Sequence, residues 1–179
     1  MELTKKGIEK RIEIKNDFVW YHFKNKKLDF SKIISIGDYA YLQGCSADLS
    51  SLKSISDYAD LQGCSSNLSS LVSIGGNAYL YGCSSNLSSL VSIGDYADLQ
   101  GCSSNLSSLV SIGGNTYLYG CSSNLSSLVS IGGYVDLQGC SKELKKSLSK
   151  TLQKCNGIYV EFQDKSMNLA EFKKYADKL

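Results

Sequence analysis

One stretch of 19 residues, IGDYADLQGCSSNLSSLVS at 93–111, is written about six times in succession. Cys45, Cys64, Cys83, Cys102, Cys121 and Cys140 keep that step, as do Ile36, Ile55, Ile74, Ile93, Ile112 and Ile131. Leu49, Leu68, Leu87, Leu106 and Leu125 keep it too. A short, fixed period means stacked supersecondary units, one coil per repeat. A single coil cannot bury its apolar side alone, so stability requires neighbours above and below. The chain therefore reads as a repeat β-solenoid with a parallel sheet of about six coils.

Within one coil the apolar positions are Ile93, Ala97, Leu99, Cys102, Leu106, Leu109 and Ile112. Ala97 and Leu99 are two apart, so Tyr96–Gln100 reads as a strand with those two pointing in. Tyr96, Asp98 and Gln100 then point out. Gly101 ends the strand and Cys102 turns inward. Leu106, Leu109 and Ile112 step by three, which suits a short turn or 3₁₀ segment better than a second long strand. Gly113-Gly114, or Gly94-Asp95 in the alternate spelling, turns the chain into the next strand. Each buried Leu or Ile contributes roughly 1.5–3 kcal/mol, enough to offset ordering entropy only when coils stack. The Asn67, Asn86, Asn105 and Asn124 column, the Ser after each Cys, and the Cys column itself read as structural. Each coil offers one Cys with no His beside it, which argues against a metal site.

The string Ala97-Asp98-Leu99-Gln100-Gly101-Cys102 resembles the L-x-L-x-x-C/N core of leucine-rich repeats. SIGDYA together with GCSS is similar to the bacterial BspA-like branch of that family, over residues 30–141. The period of 19 is shorter than the family's usual one, and Ala often stands for the first strand Leu. The shortness favours a straighter solenoid than a horseshoe. What the resemblance implies is an exposed parallel sheet used for protein recognition.

Charge divides the chain in three. Residues 1–33 carry nine Lys/Arg and five Asp/Glu; residues 34–141 carry one Lys and seven Asp; residues 142–179 carry nine Lys and five Asp/Glu. An acidic block between basic ends suits a repeat array, 33–141, with an N-terminal β cap at 1–32 and a C-terminal α/β cap at 142–179. In the first, Val19–Phe23 is expected as a bulky strand covering the first coil, with a hairpin through Asn16-Asp17 that pairs the Ile12 and Ile14 strand. In the second, Ser141 is expected to cap a helix over 142–154 with Leu144, Leu148 and Leu152 on one face. A strand over 158–162 follows. Asn168 and Glu171 then open a last helix with Leu169, Phe172, Tyr175 or Ala176, and Leu179 inward. Lys142, Lys145, Lys146, Lys150 and Lys154 read as a wet face. The charged opening MELTKKGIEKRIEIK carries no apolar run of an export signal, and no run of 18 apolar residues occurs. With an odd count of seven Cys, free thiols in a reducing cytoplasm are the expectation.

The outward strand positions carry whatever function this array has. They read Tyr39-Tyr41-Gln43, Tyr58-Asp60-Gln62, Asn77-Tyr79-Tyr81, Tyr96-Asp98-Gln100, Asn115-Tyr117-Tyr119 and Tyr134-Asp136-Gln138. Nine of the twelve tyrosines lie there. Two spellings alternate, so a 38-residue pair reads as the unit of duplication. A structural reason for alternation exists: strands lie about 4.8 Å apart, and interleaved Tyr79 and Tyr117 separate Asp60, Asp98 and Asp136 to about 9.6 Å, beyond the Debye length. The functional reading uses the same residues, since Tyr is enriched at interface hot spots. It makes the Tyr/Asp/Gln face a site for a partner protein with a basic surface, in the manner of an inhibitor or adaptor in a host–pathogen or phage–host setting. Nucleic-acid binding, by Tyr stacking and basic caps, or DNA mimicry by the acidic sheet, is the alternative. Against stacking, the face is net negative and repels phosphate. An ice-binding surface would need outward Thr rows, whereas Thr116 falls in the inward Ala column. Pairing of two sheets into a homodimer stays open. Catalysis has little to work with: His22 is the one His, the repeat acids are single, and no phosphate-loop or zinc motif occurs. No cofactor or metal is expected.

Overall fold

The computed structural model describes residues 2–3, 30–160 and 166–179. The expected Val19–Phe23 strand and Asn16-Asp17 hairpin lie outside the described residues, as do Glu161 and Phe162.

The repeats wind into a parallel β-solenoid of seven stacked strands on each of two sheets. The first sheet holds β1 (Glu2–Leu3), β2 (Ser35–Ile36), β4 (Ser54–Ile55), β6 (Ser73–Ile74), β8 (Ser92–Ile93), β10 (Ser111–Ile112) and β12 (Ser130–Ile131). The second holds β3 (Tyr39–Tyr41), β5 (Tyr58–Asp60), β7 (Ala78–Tyr79), β9 (Ala97–Asp98), β11 (Thr116–Tyr117), β13 (Tyr134–Asp136) and β14 (Gly157–Tyr159). Between the strands of successive repeats the register is one repeat, Ile93 on Ile112 and Ala78 on Ala97.

The isoleucine step, expected as a short turn or 3₁₀ segment, is a turn that ends in a two-residue strand and so builds the first sheet. The strands are short because each coil must turn again at once. The backbone of the corners is also paired: Gly113 N–H donates to Ile93 O at 2.9 Å, and Val110 N–H to Val91 O at 2.8 Å. At the Asn corner, bridges link Asp48, Asn67, Asn86 and Asn105, while each side-chain oxygen accepts the amide two residues on, as Asn105 Oδ1 does from Ser107 at 3.1 Å.

The core is the continuous stack of inward columns. Cys64, Cys83, Cys102, Leu68, Leu87, Leu106, Leu71, Leu90 and Leu109 are all 0 % exposed, so the columns are dry. The thiols are free. The second Ser after Cys64, Cys83, Cys102 and Cys121 is buried as well; Ser104 Oγ donates to Cys83 O at 3.2 Å, and Ser123 Oγ to Cys102 O at 3.2 Å. Two glycine columns permit the winding. Gly101 takes φ +61° to leave the strand, and its counterparts from Gly44 to Gly139 do likewise. Gly113 packs where a Cβ would stand 1.9 Å from Gly94 O, so the coils touch backbone to backbone there.

Helix α1 (Lys142–Thr151) is capped by Ser141, whose Oγ accepts from Leu144 N–H at 3.1 Å. It ends at Thr151 because Leu152 turns to ψ 125°, short of the expected 154, yet Leu144, Leu148 and Leu152 all bury. Lys145 corrects the wet-face reading: it is 8 % exposed, and its Nζ donates to Val160 O at 3.1 Å. Helix α2 (Leu169–Ala176) begins with the Asn168–Glu171 reciprocal cap and buries Phe172 and Ala176. Among the described residues, no helix is long and apolar enough to cross a membrane.

Candidate functional site

The outward face of the second sheet carries the nine tyrosines, and the register of the strands decides how they meet. Tyr58 and Tyr96 sit one residue before the inward Ala; Tyr79 sits one residue after it. Rings on adjacent strands are therefore diagonal neighbours, close enough for aromatic contact. Ring centroids stand 5.4 Å apart for Tyr41 and Tyr58, 5.3 Å for Tyr58 and Tyr79, 5.3 Å for Tyr79 and Tyr96, and 5.5 Å for Tyr96 and Tyr117. Tyr39 joins at the N-terminal end, 5.9 Å from Tyr58. The tilts of 39–50° along this zigzag suit the ring quadrupoles better than a face-to-face sandwich.

Tyr41, Tyr58, Tyr79 and Tyr96 are half-buried by one another, whereas Tyr39, Tyr117 and Tyr134 are exposed. Tyr81 and Tyr119 stand farthest into water, at 56 % and 54 % exposure. Crowding has a chemical consequence. Burial, and then the nearby Asp60 carboxylate, push the Tyr58 hydroxyl up to about 12. The same two causes, with Asp98, push Tyr96 up to about 12.

The three aspartates point to this face but do not all reach water. Asp60 is 3 % exposed, which corrects its reading as an accessible contact. Its Oδ1 accepts from Gln62 N–H at 3.2 Å, and its Oδ2 accepts from Gln43 Nε2 of the coil before. Asp98 and Asp136 are half-buried and accept from the amides of Gln100 and Gln138 at 3.0 and 2.9 Å. Each Asp thus closes the end of its own strand. In the alternate coils Asn77 and Asn115 reach across instead, accepting from Tyr96 and Tyr134 N–H at 3.2 and 2.9 Å.

Sequence reasoning missed three features. Tyr159, in β14, extends the face: its ring lies 6.0 Å from that of Tyr134. Its alternation with Ile158 and Val160 was the available signal. A recess of about 300 Å³ opens between Tyr117 and Tyr134, which no repeat pattern predicts. Beside the first sheet, Val72, Val91 and Val110 form an exposed aliphatic column, with Lys53 between it and the exposed Ile34. The Val out of step with Leu-x-x-Leu-x-x-Ile was its trace. Among the described residues, no group of three or more His, Cys, Asp or Glu is arranged to hold a metal ion.

No protein-family model, no curated protein and no solved structure matches the chain.

Proposed function

We propose that this chain is a non-enzymatic recognition module of the leucine-rich-repeat-like, BspA-like kind, and that its tyrosine face binds a partner protein with a basic surface. The observation that carries the reading is the tilted stack of rings from Tyr39 to Tyr117, flanked by the protruding Tyr81 and Tyr119. Rings already ordered by their neighbours lose little freedom on binding, and each offers apolar area with a hydroxyl at its tip. The outward strand positions carry Asp as their one charged residue type, with no Lys or Arg. That composition favours a cationic partner and disfavours a phosphate backbone. Work in the cytoplasm belongs to the same proposal.

The test is capture of the partner from cells that make this protein, followed by affinity measurement with both proteins purified. Tyr81→Ala with Tyr119→Ala should weaken binding by about 30-fold or more. Unchanged affinity would leave the face a purely structural one. A salt series separates the alternative: binding that falls steeply with salt belongs to nucleic acid, and a gentle slope to a tyrosine-anchored protein contact.

A further inference from the structure

We infer that the recess between Tyr117 and Tyr134 is an anchor pocket for a cationic side chain, an arginine guanidinium of the partner. This rests on the tyrosine face being the recognition surface, and it names the chemistry of one place on it. The zigzag of rings runs closed as far as Tyr117, with its last spacing, Tyr96 to Tyr117, at 5.5 Å. Tyr134 should come next. Its ring pairs instead with Tyr159 of the capping strand, 6.0 Å away at 46°. The cause lies in Gly157, which faces Tyr134 across the strand pair, where earlier coils place Asn or Tyr. A Cβ on Gly157 would stand 3.1 Å from Tyr134 Cδ1, so the missing side chain makes room for the ring to lean that way.

The space left behind measures about 300 Å³ and is lined by Asn115, Tyr117, Tyr134, Asp136, Gln138 and Tyr159, with Thr116. That is the small end of ligand pockets and suits one long side chain. Its chemistry is three phenol rings and one carboxylate, with no cation among the described lining residues. Asp136 spends one oxygen on Gln138 N–H. In the Asp60 coil the other oxygen is met by the Gln43 amide, but the coil before Asp136 has Tyr119 in that place. A carboxylate oxygen beside aromatic faces attracts a cation through both charge and ring quadrupole. A guanidinium meets both at once, because it stacks flat on a ring and donates from its edge. An ammonium is compact and holds its water more tightly.

The test uses the full chain with ¹³C-labelled tyrosine, titrated with N-acetyl-arginine amide and with its neutral isostere, N-acetyl-citrulline amide. The arginine probe should shift Tyr117, Tyr134 and Tyr159 saturably, and the citrulline probe should not. Asp136→Asn, which keeps the oxygen that Gln138 needs, should weaken arginine binding by about ten-fold or more. Asp98→Asn, under the closed part of the zigzag, should change it by less than about two-fold. Shifts spread evenly over all tyrosines, equal binding of citrulline, or indifference to Asp136→Asn would overturn the pocket. Tighter binding of N-acetyl-lysine amide would overturn the guanidinium assignment. Because the probe is a small molecule, its failure with partner binding intact removes only the pocket. Loss of the partner interface leaves the probe result standing.

Discussion

Tyr134 and Gly157 face each other across the last strand pair, and a Cβ on Gly157 would lie 3.1 Å from Tyr134 Cδ1. The repeat ends at this point in two senses. The backbone goes on stacking, since β14 pairs with β13 in register. The side-chain pattern does not, because the capping strand has Gly157 at the position where every earlier coil carries Tyr or Asn. A defect in the ring zigzag follows, and a recess of about 300 Å³ opens there.

The zigzag itself holds the coils together. Tyr79 has two ring partners at 5.3 Å, each pair contributing about 0.5–1.5 kcal/mol beyond area burial. Tyr79→Ala should therefore lower stability by about 1–3 kcal/mol. Tyr81→Ala, at an exposed site, should stay within about 0.5 kcal/mol. Urea unfolding midpoints of the two variants check the contrast, and equal shifts would show that the rings do not support one another.

Alkaline titration reads the same stack. In the folded chain Tyr58 and Tyr96 are raised from 10.0 to about 12, first by burial and then by their Asp neighbours. Below pH 10 both hydroxyls are protonated, folded or unfolded, and neither contributes to the slope. As pH climbs from 10 to about 12 the unfolded chain releases these protons first, so their contribution to stability is lost across that window. Tyr96→Phe removes one such titration. Its stability should fall less steeply than wild type over that range in pH-dependent urea melts. Parallel slopes would contradict the shift.

The two glycine columns should fail differently. Gly101 has no atom of its surroundings closer than 3.9 Å to an added Cβ, but its φ is +61°. Gly101→Ala should cost about 1–2 kcal/mol, the penalty of the left-handed region. Gly113→Ala would put a methyl 1.9 Å from Gly94 O, and backbone must move. The expected loss exceeds about 3 kcal/mol, with reduced far-ultraviolet dichroism. Similar melting temperatures for the two variants would mean that the corner yields.

Thr116 offers a change in the other direction. It occupies the inward column that Ala97 and Val135 share, is fully buried, and its Oγ1 has no hydrogen-bond partner. Thr116→Val keeps the shape and removes the stranded hydroxyl. Stability should rise by about 1 kcal/mol or more. A lower melting temperature by calorimetry would imply that the hydroxyl is satisfied in solution.

Much of the coil was legible in the repeated letters. The inward positions Ala97, Leu99, Cys102, Leu106, Leu109 and Ile112 are all buried, because a residue repeated at one step in stacked coils must share one environment. The caps of both helices at Ser141 and Asn168 were equally plain, since capping is local chemistry. The alternation of spellings was visible, but its steric side was not. A Cβ at Gly76 or Gly114 would meet the carboxylate of Asp57 or Asp95, 2.1 or 2.4 Å away, so at these two steps the coil above takes Gly. That is a contact between residues 19 apart, and no single coil records it. Lys145 failed for a related reason, since the carbonyl it meets, Val160 O, belongs to another element.

The period of 19 by itself determined that this chain is a stacked solenoid, which columns face the core, and which column carries the tyrosines. Tertiary structure alone decided which of the outward residues meet water. Asp60 is sealed by its neighbours, Tyr81 stands clear, and Tyr134 turns away from Tyr117 toward the capping strand. The physical reason is that periodicity assigns direction to a side chain. The exposure of a surface residue depends on the coil above, the coil below and the element that ends the stack.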